Sequence, residues 1–276
     1  MLTARSARVV EARRLLQRKR RDERFLVEGP QAVREARDAG RLLEVFVSAA
    51  ATGAAADEAS AAAGAGVPVH EVDEAALRSI AESVTPQGII AVAEVVGVPV
   101  DRVLTGSPRL VVVLAGVSDP GNAGAVIRVA DAAGADAVIV TAGSVDVHNG
   151  KCVRATTGSL FHLPIAVGVP ASGLGEVLRS RGLQVLAAAG EGAQDLDEVI
   201  DLGGLGAPTA WLLGNEAHGL PAEVLEEADR VVRIPIHGRA ESLNLATAAA
   251  VCLYASARAL RGQNPAVPRP ADRSRP

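Results

Sequence analysis

Two unbroken apolar runs, Leu110–Ala115 and Ala137–Thr141, restrict what this chain can fold into more than any other feature. Both are short, rich in β-branched residues and free of polar alternation. Such strands need apolar neighbours on both faces, the situation in a parallel sheet covered by helices. Ala123–Ala133 lies between them with helical composition, so the three segments form a β–α–β unit. Further strands are expected at Ile165–Val167, Gln184–Ala188, Thr209–Leu213 and Arg230–Ile234, with a long closing helix over Leu243–Leu260. No apolar run approaches the roughly 20 residues of a membrane span.

A smaller alternating module precedes this one. The pattern predicts an amphipathic helix over Ser6–Lys19, then strand Phe25–Glu28, helix Gln31–Ala39, strand Leu43–Ser48 and helix Ala54–Ala63. Strand Val67–Val72, helix Glu74–Glu82 and strand Ile89–Glu94 complete it. The chain thus divides into an N-terminal α/β domain (1–95), a Gly- and Pro-containing linker (96–108), a larger α/β domain (109–261) and a Pro- and Arg-rich tail (262–276) expected to be disordered. The fold class is α/β twice over.

Composition narrows the function. Aromatic residues make up only 2% of the chain, which argues against a stacking platform for single-stranded bases. The net charge of −4 hides a strong asymmetry: residues 1–24 carry nine basic and three acidic side chains. The cations Arg13, Arg14, Arg18, Lys19, Arg20, Arg21 and Arg24 are therefore candidate phosphate contacts, although a solvated helix face has the same composition. Cys152 and Cys252 are far apart and read as buried, reduced thiols. The five histidines lack metal-ligand spacing, so no metal is expected. The charged start does not resemble a signal peptide, and the expected compartment is the cytoplasm.

Three stretches put polar residues directly after a buried strand, where open α/β sheets bind ligands. Ser118–Arg128 runs from the first strand into a helix; Asn122 is a candidate N-cap, Gly124 permits close backbone approach, and Arg128 lies one turn above that glycine. In Leu212–Pro221, Glu216 follows a strand between Gly214 and Gly219, and His218 reads as a turn residue. In Ile234–Ala246, Ser242 is an N-cap candidate, with Asn244 in the first turn. Each stretch alone could be ordinary capping. The glycines at 116, 121 and 124 do not make a dinucleotide-binding fingerprint.

Taken together and in this order, the three stretches resemble the sequence motifs of the SpoU (TrmH-like) family of RNA methyltransferases, over about residues 109–261. Phe25–Gly29 and Pro86–Ile89 resemble that family's RNA-binding N-terminal domain, and Arg154–Phe161 resembles a further family segment. The resemblance implies a C-terminal SPOUT domain with a parallel sheet and a deep trefoil knot. It also implies S-adenosylmethionine as methyl donor, an RNA substrate, and a homodimer with active sites across its interface. It places Asn122, Arg128, Glu216, Ser242 and Asn244 at functional positions and Gly214, Ile234 and Leu243 around the donor. Thr141, Gly143, Leu213 and Ile236 join the donor set on the same grounds, and Arg154 the RNA set.

The implied reaction is methyl transfer to a ribose 2′-hydroxyl. For Arg128 the family suggests a base, but a guanidinium with a pKa above ~12 is better suited to stabilising the developing alkoxide and clamping a phosphate. Ribosomal RNA is ahead of transfer RNA as substrate because of the separate N-terminal module. A non-catalytic RNA-binding protein and a nucleotide-dependent enzyme of another class are the competing readings; the full polar set speaks against the first, the missing phosphate loop against the second.

Overall fold

The computed structural model describes residues 1–17, 23–215 and 218–262. In the N-terminal half, α1 (Ala7–Arg14), β1 (Arg24–Glu28), α2 (Pro30–Asp38), β2 (Leu42–Ser48), α3 (Ala54–Gly64), β3 (Val69–Val72), α4 (Glu74–Ile80) and β4 (Ile89–Glu94) follow the expected alternation. The sheet order is β1-β4-β2-β3. It is mixed: β4 runs antiparallel to both β1 and β2, while β2 and β3 are parallel. Helix α1 buries Val9 and Ala12 against the sheet and α4. It ends well short of the expected Lys19, with turns reaching Gln17.

The segment after β4 is not a free tether. It contains a one-turn helix, α5 (Val100–Val103), and buries Val96, Val103 and Leu104. Val96 is clamped by His148, whose Nε2 lies 2.8 Å from its carbonyl and 3.1 Å from its amide nitrogen. Gly- and Pro-rich composition signalled the breaks but not the packing between them.

The C-terminal half contains β5 (Leu110–Leu114), α6 (Pro120–Ala133), β6 (Ala137–Thr141), α7 (Gly150–Thr156), β7 (Ile165–Val169), α8 (Leu174–Ser180) and β8 (Gln184–Ala188). It continues through β9 (Gln194–Asp195), α9 (Leu196–Asp201), β10 (Thr209–Leu213), α10 (Ala222–Leu225), β11 (Arg230–Arg233) and α11 (Leu245–Gly262). Seven parallel strands are ordered β7-β6-β5-β10-β8-β11-β9. Every residue of β5, β6 and β10 is buried, as the unbroken runs require. Helices α7, α8 and α9 and the two-residue β9 were not anticipated.

The chain builds β5, β6 and β7 outward to one side, crosses over for β8, and later inserts β10 between β5 and β8. After β11 it returns across the sheet, so that α11 packs against α6 and β10. Trp211 of β10 is fully buried in this contact and its Nε1 donates to Ser256 Oγ of α11 at 2.9 Å. Neighbouring strands β5 and β10 lead into connections running in opposite directions. Crevices for ligands form at the carboxyl ends of such strands.

Candidate active site

The first loop, between β5 and α6, is fixed from three sides. The amide of Gly116 donates to Ser144 Oγ at 3.0 Å and Thr141 Oγ1 at 3.3 Å. The Asp119 carboxylate caps α6, accepting from the Asn122 amide at 2.8 Å, and pairs with Lys151 of α7 at 2.6 Å. The Lys151 hydrogen bond and then the Asn122 amide hold the Asp119 carboxyl below its usual range. The expected cap, Asn122, is therefore inside the helix. Pro120 at the first helical position explains the shift, since its missing N–H costs nothing there. Gly124 does permit a close approach, but of α7: a Cβ there would lie 2.4 Å from the Cys152 carbonyl oxygen.

The second loop, after β10, closes through reciprocal backbone bonds between Asn215 and Gly219, each 2.9 Å. A Cβ on Gly214 would sit 2.6 Å from the Gly219 backbone, so the tight return requires glycine. Asn215 Nδ2 donates to the Gly116 carbonyl at 3.1 Å and to Ser118 Oγ at 3.0 Å, tying the second loop to the first. His218 is an exposed turn residue facing Asn215. Glu216 lies outside the described residues.

The third loop leads from β11 into α11. The helix begins at Leu245, and Asn244 rather than Ser242 caps it, its Oδ1 accepting from the Ala246 amide at 2.9 Å. The same side chain donates through Nδ2 to Asn122 Oδ1 at 3.0 Å, joining the third loop to the first. The three polar stretches thus meet. Between the second and third loops and the carboxyl end of β8 lies a cavity of about 240 Å³.

Gly214, Leu213, Ile234, Ile236 and Leu243 line this cavity, together with Ser242. Thr141 and Gly143 are not among its lining residues; the Thr141 hydroxyl is turned inward to the Gly116 amide and Ser144. Asn215, Glu241 and the Ala188–Gly190 turn line it without having been singled out. Only Asn215 could have been found in the sequence, as an amide directly following a buried strand.

Arg128 is exposed on α6, with no hydrogen bond or ion pair among the described residues. Six residues after Asn122 at 1.5 Å per residue, it stands roughly 9 Å further along the helix axis. It does not line the cavity. Arg13 and Arg14 are exposed at the end of α1, whereas Arg24 pairs with Glu11 at 3.0 Å. Arg18, Lys19, Arg20 and Arg21 lie outside the described residues. Arg154 is not a free cation: it reaches Glu28 at 3.4 Å and Glu82 at 4.0 Å, tying α7 to the N-terminal half. Both cysteines are buried thiols with pKa pushed up to about 12, Cys152 by burial and then by Asp146 and Asp119, Cys252 by burial. Among the described residues there is no group suited to a metal and no helix long and apolar enough to cross a membrane.

A model of the SpoU rRNA methylase family matches residues 109–254, which hold all three loops. The chain belongs to the SpoU methylase family. Residues 6–91 match the model of an MRM3-like substrate-binding domain. Among relatives of this SpoU protein is the 23S rRNA (guanosine(2553)-2′-O)-methyltransferase RlmP of Bacillus subtilis, 33% identical over 91% of this chain and 96% of its own. The AdoMet-bound rRNA methyltransferase of Sinorhizobium meliloti superposes with a TM-score of 0.77 at 32% identity, covering 94% of this chain and 98% of that one. The SpoU methyltransferase AviRb of Streptomyces viridochromogenes, also solved with AdoMet, gives 0.79 at 30% identity over 92% and 98%.

Proposed function

We propose that this protein transfers a methyl group from S-adenosylmethionine to a ribose 2′-hydroxyl of ribosomal RNA. The carrying observation is the convergence of three strand-end loops, through Asn122–Asn244 and Asn215–Gly116, beside one cavity. The residues fit the donor: apolar walls from Leu213, Val232, Ile234 and Leu245 suit an adenine, and the strand-end backbone with Ser242 suits its polar groups. The donor supplies a methyl already activated as a sulfonium. What this chain must add is in-line placement and stabilisation of the oxygen as its proton leaves. Asn122 and Asn244 hold each other, Asn244 lying in the chain between the lining residues Leu243 and Leu245, and orient the sugar, with Glu216 assigned to the same task. Arg128 stabilises the alkoxide and clamps the neighbouring phosphate.

The position of Arg128 outside the cavity supports a homodimer in which it serves the partner's donor site. Exposed apolar residues support the same arrangement: Val251 (39%) and Tyr254 (53%) on α11, with Ile236 (38%) and Leu243 (36%) beside the cavity. Insertion of β10 between β5 and β8, followed by the return of α11, is the topology expected of the trefoil knot. We assign residues 1–95 to RNA binding, 109–261 to catalysis, and the reaction to the cytoplasm. Ribosomal RNA is favoured over transfer RNA by the relatives' substrates.

The test is incubation with methyl-labelled donor and ribosomal RNA, followed by alkaline cleavage, in which a 2′-O-methylated position appears as a gap. Arg128→Ala should lower turnover by ~10²–10³ with donor affinity unchanged, the usual loss for one preorganised charge-stabilising group. Turnover within a few-fold of wild type removes Arg128 from the mechanism.

A further inference from the structure

The donor and the product it leaves differ in charge. S-adenosylmethionine carries a sulfonium, an ammonium and a carboxylate, net +1; after transfer the sulfur is a neutral thioether and the molecule is a net-neutral zwitterion. The walls of the cavity are apolar apart from backbone groups and a few polar side chains. Asn215 directs its amide N–H away, onto Gly116 and Ser118. Among the described lining residues one side chain is charged, the carboxylate of Glu241. It is exposed and has no hydrogen bond or ion pair among the described residues, Arg239, two residues earlier, included.

We propose that Glu241 makes the cavity discriminate between the charged methyl donor and its neutral product. The inference rests on the donor site assigned above. An unpaired carboxylate, the one charged side chain among the described lining residues, favours a cation over a neutral isostere without needing direct contact. A unit charge ~6 Å from a carboxylate, at an effective dielectric of ~40–80, changes binding by roughly threefold to tenfold. Because the ammonium is common to both ligands, the difference between them isolates the sulfonium.

Calorimetric titration of the full-length protein with S-adenosylmethionine and with S-adenosylhomocysteine tests this. In Glu241→Gln the donor Kd should rise roughly threefold to tenfold while the product Kd stays within about twofold. Glu241→Asp, which keeps the charge, should retain most of the wild-type ratio, and added salt should erode that ratio in wild type but not in Glu241→Gln. Unchanged melting temperatures establish that both variants fold. Equal weakening of both ligands would assign Glu241 to a group they share, and no change in either would remove it from the site; each overturns the proposal. Wild-type protein that binds neither ligand would defeat the donor site itself, a failure distinguishable from the other two.

Discussion

Gly124→Ala sets two effects of known size against each other. Within a helix, alanine is favoured over glycine by roughly 1 kcal/mol. At this position the added methyl meets the Cys152 carbonyl oxygen at 2.4 Å and the Ala155 Cβ at 2.7 Å. Ordinary contact begins near 3.4 Å, so α6 and α7 must separate by about an ångström. The obstructing oxygen is backbone, and α7 is held on its far side by the Arg154 pair with Glu28, so a rotamer change cannot relieve the clash. Overpacking costs about 1–3 kcal/mol, and the rigid neighbour argues for the upper end. The net expectation is a loss of ~2 kcal/mol, or about 4–8 °C in Tm for a chain of this size. Because Asn122 is on the moving helix, turnover should fall more than donor affinity, toward the ~10² associated with a misplacement of 1 Å. Scanning calorimetry reads the first effect and labelled-donor assays the second. A variant melting at or above wild type would mean that helix propensity wins, and the close packing of α6 on α7 would be refuted.

Ser256→Ala leaves the Trp211 indole N–H buried without its acceptor, and should destabilise the protein by about 1–3 kcal/mol. This is the chain's one tryptophan, so a thermal melt followed by its fluorescence reports the α11 contact directly, and an unshifted midpoint would deny the bond any role. His162 bridges Glu35 at 3.0 Å and Asp131 at 2.7 Å. Burial lowers its pKa, but the hydrogen bonds to Glu35 and Asp131 outweigh this and raise it. A raised value in the folded state stabilises fully below the unfolded value of ~6.5 and is lost as pH climbs through the folded one. The Tm advantage of wild type over His162→Gln should therefore be larger at about pH 5.5 than at about pH 9; a gap independent of pH would contradict the bridge.

What could be read from the sequence divides along physical lines. The unbroken runs of β5, β6 and β10 were legible because burial on both faces leaves no other composition available. Short helices were not: α7, with a glycine, a valine and a threonine in seven residues, has too little length for a 3.6-residue period to emerge. Caps were displaced by two or three residues because Asp119 and Asn122, or Ser242 and Asn244, are chemically equivalent candidates. Only Pro120 broke the first tie, and nothing local broke the second, since Asn244 owes its orientation to Asn122, 122 positions away. Arg154 looked available for phosphate because its partner Glu28 is 126 residues distant. Thr141 ends a strand on the ligand side of the sheet, yet spends its hydroxyl on the loop beside it.

The N-terminal half is attached to the same helix that organises the site. From α7, Lys151 reaches Asp119 at the start of α6, and Arg154, one turn later, reaches Glu28 and Glu82 in the other direction. His148, just before α7, clamps Val96 and packs edge-on against Phe25 with ring centroids 4.8 Å apart. His162 adds a second strut, from α2 to α6. A chain with 2% aromatic residues has few rings to read bases by stacking. On the proposed function, the choice of nucleotide then falls to distance: where the N-terminal cations grip phosphate, relative to Asn122 and the cavity, decides which ribose reaches the methyl. These struts fix that distance, and they do so from residues outside the cavity.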